Sequence, residues 1–241
     1  MKRKTLNRKA LGPIALRSFA LVVVVAATWQ ARAQDAKAPY PNMAPLEQYL
    51  MERDAEIVLA RSAAPESISA DAEIMVLGRH GYETAAKGRN GFVCMVERSW
   101  MAGTDDPNFW NPKLRGPICL NPAAVRSYLP RTIKKTELIL ATRSKARMFA
   151  DIKAALDKKE LPAPEPGAMC YMLSKQGYLS DTDGHWRPHL MFFTPLTDPA
   201  AWGAGLPGSP VIAFPGTEGM TIFLVPVTKW SDGTTASVGE H

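Results

Sequence analysis

The sequence predicts an α+β fold, a mainly antiparallel sheet with helices packed on one face. Strand-like apolar runs lie towards both ends of the chain, helical periodicity fills the middle, and Gly or Pro marks most junctions. A length of 241 residues, with 46% hydrophobic and 22% charged residues, suits one ordinary globular domain. No internal repeat of fixed period is present.

The chain opens on a basic stretch, Met1 to Lys9, followed by an apolar run from Ser18 to Ala27 and then Ala31-Arg32-Ala33. These are the three parts of a secretory signal peptide with its cleavage site before Gln34. A spanning helix needs about 20 apolar residues, and this run is about half that, with Arg17 and Arg32 at its flanks. Residues 1–33 are therefore expected to be a signal peptide. The mature protein is expected to be exported, periplasmic or secreted, with no transmembrane segment.

Residues 34–44, with Pro39 and Pro41, read as a flexible lead-in, and residues 45–230 as a single domain. A helix is expected from Pro45 to about Ser62, with Leu46, Leu50, Ile57 and Leu59 on its buried side. Between Ala72 and Ser99, apolar runs separated by Gly78-Arg79-His80-Gly81 and Lys87 to Gly91 predict a meander of two or three antiparallel strands. Trp100 to Pro122 reads as irregular, with Asn121-Pro122 as a cap and first-turn proline. A longer helix is expected over Thr132 to Lys159, with Ile133, Leu140, Met148, Ile152 and Leu156 as its apolar stripe. Leu161 to Gly167 breaks it. Strands return at Met169–Leu173, Leu190–Thr194, Val211–Phe214 and Thr221–Val227, and residues 231–241 read as a loose tail.

A net charge of +6 suggests an anionic partner until its position is considered. The leader carries seven of the 29 basic residues and no acid, which leaves 22 basic against 23 acidic residues beyond it. Electrostatics therefore give no support for a nucleic-acid partner. The stretch from Arg126 to Lys159 carries ten basic residues against three acids, and reads as a solvated helix face.

Three cysteines in an oxidising compartment leave one unpaired. Cys94 with Cys119 is the expected disulfide, closing the aromatic, proline-rich loop between them, and Cys170 reads as a buried thiol in a strand. On the same loop Trp100, Phe109 and Trp110, with Arg115 as a polar anchor, form a candidate ligand platform; the competing expectation is that the aromatics close the core.

The densest polar cluster is Asp181-Thr182-Asp183-Gly184-His185-Trp186-Arg187-Pro188-His189. Asp181, Asp183, His185 and His189 have the chemistry to hold zinc, whose bound water would serve a metal-assisted hydrolase. Pro188 directly before His189 opposes the helical i, i+4 metal motif, and the competing expectation is a polar loop whose side chains bond the local backbone. A thiol enzyme built on Cys170 and His189 is a further alternative. The sequence carries no G-x-S-x-G, H-E-x-x-H, G-x-x-x-x-G-K or C-x-x-C motif.

The run Gly88 to Met95, followed by Pro117-Ile118-Cys119, resembles a G-x-N-G-[FW]-x-C … P-x-C pattern of uncharacterised exported bacterial proteins. Tyr171-Met172-Leu173, Pro188-His189-Leu190-Met191 and Leu224-Val225-Pro226-Val227 extend the resemblance across about Ala72 to Val227. It implies the Cys94–Cys119 pairing and a single domain, and brings no activity or cofactor. The expectation is a metal-free, non-catalytic binding or envelope-associated domain, with a small molecule or envelope protein as partner.

Overall fold

The computed structural model describes residues 39–103 and 105–236, so the expected signal peptide and residues 237–241 lie outside the described residues. The strands are β1 (Glu73–Gly78), β2 (Gly81–Ala86), β3 (Val93–Glu97), β4 (Gly116–Leu120), β5 (Met169–Met172), β6 (His189–Pro195), β7 (Ile212–Thr217) and β8 (Met220–Pro226). They form one eight-stranded sheet in the order β2-β1-β3-β4-β5-β6-β8-β7. Among the described residues five α-helices accompany it: α1 (Arg53–Arg61), α2 (Glu66–Ser69), α3 (Pro122–Ser127), α4 (Leu129–Thr142) and α5 (Lys145–Asp157).

The α+β class holds, and the sheet is mainly antiparallel. Its one parallel ladder, between β1 and β3, replaces the expected meander: β3 lies beside β1, on the side away from β2. The helices do not share one face. Successive strand residues point to opposite faces. Cys94, Val96 and Cys119 pack with Leu59 and Ala60 of α1, whereas Met95, Ile118 and Leu120 pack with Ala124 of α3 and Leu129 of α4. Strands β3 and β4, buried along their whole length, therefore need cover on both sides.

Two expected helices are interrupted for identifiable reasons. Between the short 3₁₀ turn Leu46–Gln48 and α1, the Tyr49 carbonyl accepts from Arg98 Nε at 2.7 Å, and Glu52 caps α1 by accepting from the Ala55 N–H at 2.9 Å. The long helix breaks at Arg143, a left-handed C-cap at φ 49°, and restarts behind the Ser144 N-cap. The break changes the buried face of α4, which is Arg131, Thr132, Lys135, Thr136 and Ile139 rather than a stripe through Ile133 and Leu140. Asn121 caps α3 as expected, accepting from the Ala124 N–H at 2.9 Å. Strand β4 was hidden in the sequence by Pro117, which sits opposite Val96 within the ladder.

Cys94 and Cys119 face each other across β3 and β4 and form the expected disulfide, fully buried. The sheet ends on β7, where Pro215 and Gly216 fall in a register irregularity. A proline and a bulge both blunt an open strand edge. The chain at 39–44 is not a loose lead-in, because Tyr40, Met43 and Ala44 pack on the core. Residues 231–236 are likewise part of the fold: the Ser231 N–H donates to the Leu173 carbonyl at 2.9 Å, and the Trp230 N–H to the Thr234 carbonyl at 2.9 Å.

One ion pair is sealed inside this arrangement. Arg98 Nη2 lies 2.8 Å from Glu56 Oε2, with the two side chains 0% and 1% exposed. Glu56 Oε1 accepts the Leu77 N–H at 3.1 Å, and the Arg98 guanidinium also donates to the carbonyls of Tyr49 and Val96. The β1–β3 ladder spans only Glu73 and Ile74 opposite Val93 and Cys94. Beyond it, the pair satisfies backbone groups that the parallel ladder leaves without partners. Removing one member strands the other in a dry interior, at a cost of about 3–5 kcal/mol. Glu56→Ala is expected to lower the unfolding free energy by about this amount in urea titration, and Glu56→Leu/Arg98→Met by clearly less.

Candidate functional site

A cleft of 870 Å³ opens where β6 begins and β8 ends, bounded by residues 183–188 and by the hairpin that follows β8. The hairpin is held by the Val227 N–H on the Pro188 carbonyl and the Ala236 N–H on the Thr228 carbonyl, both at 2.9 Å. Its walls combine Trp186, Pro188, Pro226, Val227 and Trp230 with the polar side chains of Asp183, His185, Arg187, Thr228 and Thr234.

Trp186 is the centre of this site because of two glycines. A Cβ at Gly177 would collide with Trp186 Cε2 and Cζ2, and one at Gly116 would lie 3.5 Å from Cη2. The indole therefore lies against bare backbone, and its remaining surface lines the cleft. The His189 ring meets it edge-on, with centroids 5.8 Å apart. Trp186 Nε1 is buried without a hydrogen-bond partner.

Each polar residue of the 181–189 cluster has its own role. Asp181 receives hydrogen bonds from Tyr178, Tyr40 and Lys113, the last at 3.0 Å, and these hold its carboxyl down to about 2. Asp183 accepts from Ser180 Oγ at 2.7 Å. His185 Nδ1 donates to the Gly177 carbonyl at 2.7 Å, which sets the tautomer and leaves Nε2 as the ring's acceptor when neutral. His189 is buried, its Nδ1 donating to the Arg187 carbonyl at 2.7 Å, and burial holds its pKa below the ordinary histidine value. The structure does not bring Asp181, Asp183, His185 and His189 together as a zinc site. Among the described residues no three His, Cys, Asp or Glu side chains converge as metal ligands.

The platform expected from Trp100, Phe109, Trp110 and Arg115 is not exposed. Trp100 donates to Thr136 Oγ1 at 3.0 Å, and Phe109 packs edge-on to Trp110 at 4.7 Å, all three rings being buried. Leaving such rings in water forfeits large apolar burial, so the loop closes over α4 and α5 instead. Arg115 donates to the carbonyls of Pro112 and Leu114 at 2.7 and 2.8 Å, and burial pushes its pKa down to about 10. Cys170 is fully buried, and burial pushes its thiol well up, the opposite of an activated nucleophile.

A second set of charges, unremarked in the sequence, lies between α4, β3 and the β7–β8 turn. Glu97 is buried, faces the hydroxyls of Tyr128 and Thr132 at 3.4 Å each, and is pushed up to about 7 by burial. Arg131 and Lys135, expected on a solvated face, are buried, and Lys135 Nζ lies 2.7 Å from Glu218 Oε1. Their signal was available: both sit four and eight residues before Ile139, on the core stripe of the helix.

Comparison with protein-family models, curated proteins and solved structures returns no match for this chain. Its functional reading rests on its own geometry.

Two outcomes follow from these contacts. Gly177→Ala is expected to lower stability by about 1–3 kcal/mol by forcing Trp186 off its seat, seen in urea titration together with a changed tryptophan emission. Glu97 titrates near 4.5 when unfolded and near 7 when folded, so the folded state holds the extra proton between those values. Stability therefore falls as pH rises from 4.5 to 7. Glu97→Gln removes this contribution, and melting temperatures of the two proteins across that range measure it.

Proposed function

We propose that the protein is a non-catalytic binding domain, acting outside the cytoplasm, whose site is the cleft around Trp186. The observation that carries this reading is an indole seated on Gly116 and Gly177 at the wall of an 870 Å³ cleft. That volume lies within the about 300–1,000 Å³ range of small-molecule sites. The preformed aromatic surface suits a ligand with a ring face, because stacking needs no reorganisation of the site.

The rim supports a ligand with polar substituents, and we assign the class as a small saccharide. Hydroxyls at Thr228, Thr234 and Thr235, the carboxylate of Asp183, the guanidinium of Arg187 and the ring of His185 surround the aromatic surface. Sugar hydroxyls both donate and accept, and this rim offers both functions. A binding role is favoured over catalysis because the cleft's titratable groups have fixed structural partners: His185 with Gly177, Asp183 with Ser180, and Lys175 with Asp232. The extracytoplasmic setting draws on the signal-peptide pattern of residues 1–33 and on the Cys94–Cys119 disulfide, and the resemblance to exported bacterial proteins agrees with it.

A thermal-shift and tryptophan-fluorescence panel of N-acetylglucosamine, cellobiose and glucuronate tests the reading. A ligand at 100 times its Kd stabilises the fold by about 2.7 kcal/mol. The expected result is a saturable shift with at least one sugar, lost in Thr228→Arg, whose side chain enters the cleft from an exposed position. No shift with any of the three, or a shift that Thr228→Arg leaves unchanged, overturns the assignment.

A further inference from the structure

Trp186 and Pro226 wall the cleft on one face of the sheet, and that face continues past the cleft as an apolar strip. Side chains two apart on a strand share a face, as do residues directly opposite on neighbouring strands. Gly116, whose Cβ direction meets the Trp186 ring, lies opposite Glu97, and Glu97 faces Tyr128 and Thr132. The indole is therefore on the face covered by α3 and α4. Pro226 lies opposite His189, which shares that face with Met191 and Phe193. Two residues along β8, Leu224 lies opposite Met191 on one side and Ile212 on the other. Pro226, Leu224, Met191 and Ile212 thus form one surface that starts in the cleft wall.

The helical cover of this face thins out before the strip. Tyr128 stacks on Phe193 at 3.9 Å, and Phe193 is buried. Burial falls away from there: Met191 and Leu224 are half-buried, and Ile212 is 47% exposed. Same-face neighbours along a strand lie about 7 Å apart and adjacent strands about 5 Å apart, so the path from Pro226 through Leu224 to Ile212 is about 12 Å long.

Charge is missing from this part of the chain. From Leu190 to Thr228 the sequence holds two charged residues, Asp198 and Glu218, in a chain that is 22% charged. Both are engaged elsewhere: Asp198 accepts the Ala200 N–H at 3.0 Å, and Glu218 pairs with Lys135 at 2.7 Å. At the cleft end the surroundings reverse, with the hydroxyls of Thr228 and Thr234 beside Asp183 and Arg187. Polarity therefore changes along one path, from a hydroxyl-rimmed cleft to an uncharged apolar surface. A second copy that extended the sheet from β7 would meet the irregularity at Pro215 and Gly216, which blunts that edge. A small molecule that is polar at one end and apolar at the other fits the same path without strand pairing.

We propose that the site takes an amphipathic glycoside, with its sugar in the Trp186 cleft and an uncharged alkyl chain along Pro226, Leu224, Met191 and Ile212. The inference rests on the saccharide reading of the cleft and adds the apolar half of the ligand. Laying an alkyl chain on the strip removes both its methylenes and the half-exposed side chains from water, and the gain grows with the apolar area covered.

The test is isothermal titration of the full protein with the methyl and octyl β-glycosides of N-acetylglucosamine, cellobiose and glucuronate, the octyl forms kept below micellar concentration. For at least one sugar the octyl glycoside is expected to bind at least about tenfold more tightly than the methyl glycoside. Octyl glycerol, which carries the chain without a sugar, is expected to bind at least about tenfold more weakly than that octyl glycoside. Ile212→Glu puts a charge on the strip at an exposed position. It is expected to abolish the octyl gain and leave methyl-glycoside binding unchanged, while its melting temperature reports that it folds. Equal affinity of methyl and octyl glycosides overturns this proposal and leaves the saccharide reading standing, whereas no binding of any glycoside overturns both. Octyl glycerol binding as tightly as the octyl glycoside, or a full octyl gain in a folded Ile212→Glu protein, also overturns the proposal. So does a ligand-free dimer in sedimentation that Ile212→Glu dissociates, since a second copy then covers the strip.

Discussion

At Glu56 and Arg98 a carboxylate and a guanidinium, sealed from water, tie four separate pieces of chain to one point: helix α1, the end of β1, the end of β3 and the segment at Tyr49. The arrangement follows from the topology. A parallel β1–β3 ladder only two residues long leaves backbone groups inside the protein that must find partners or weaken the fold. The ion pair supplies those partners from side chains. Its own desolvation is offset because both carboxylate oxygens and all three guanidinium nitrogens are hydrogen-bonded. The helix that sequence periodicity predicts from Pro45 to Ser62 cannot run unbroken, since Arg98 takes the Tyr49 carbonyl. The disulfide one strand away holds β3 against β4, so the frame around the pair is fixed on both sides.

The cleft and the apolar strip beside it stand on this frame at its periphery. The Trp186 cleft depends on the ends of β4 to β6, where glycines at 116 and 177 let an indole lie against backbone. The strip depends on where helical cover of the sheet thins out, beyond Phe193 and the Tyr128 ring stacked on it. In each case a residue that lacks a side chain, or a helix that covers only part of a face, leaves apolar surface open to a ligand.

Much of the framework was legible from local chemistry. Seven of the eight strands fall on apolar runs bounded by Gly or Pro, Asn121 announces α3, and the cysteine pairing follows from closing the loop between them. What escaped is what depends on residues distant in sequence. Glu56 and Arg98 are 42 positions apart, and neither stands out in its own segment. Yet Glu56 occupies the same face of α1 as Leu59 and Ala60, as Arg131 and Lys135 share a face with Ile139. A charge on a core stripe was the available signal. The 181–189 cluster drew notice for its histidines and carboxylates, whereas its tryptophan builds the cleft; no spacing rule marks an indole whose seat is made by glycines elsewhere in the chain.

The central functional claim is that a ligand enters the cleft against Trp186. The most direct measurement is the indole N–H region of a ¹⁵N-labelled sample titrated with N-acetylglucosamine, cellobiose and glucuronate. Trp186 lines the cleft, whereas Trp100 is fully buried in the core with its Nε1 bonded to Thr136, so the two signals separate the site from the rest of the protein. The expected result is a saturable shift of the Trp186 indole signal with at least one sugar, while the Trp100 signal stays in place. A Trp186 signal that none of them moves, or shifts confined to the exposed Trp202, would contradict it.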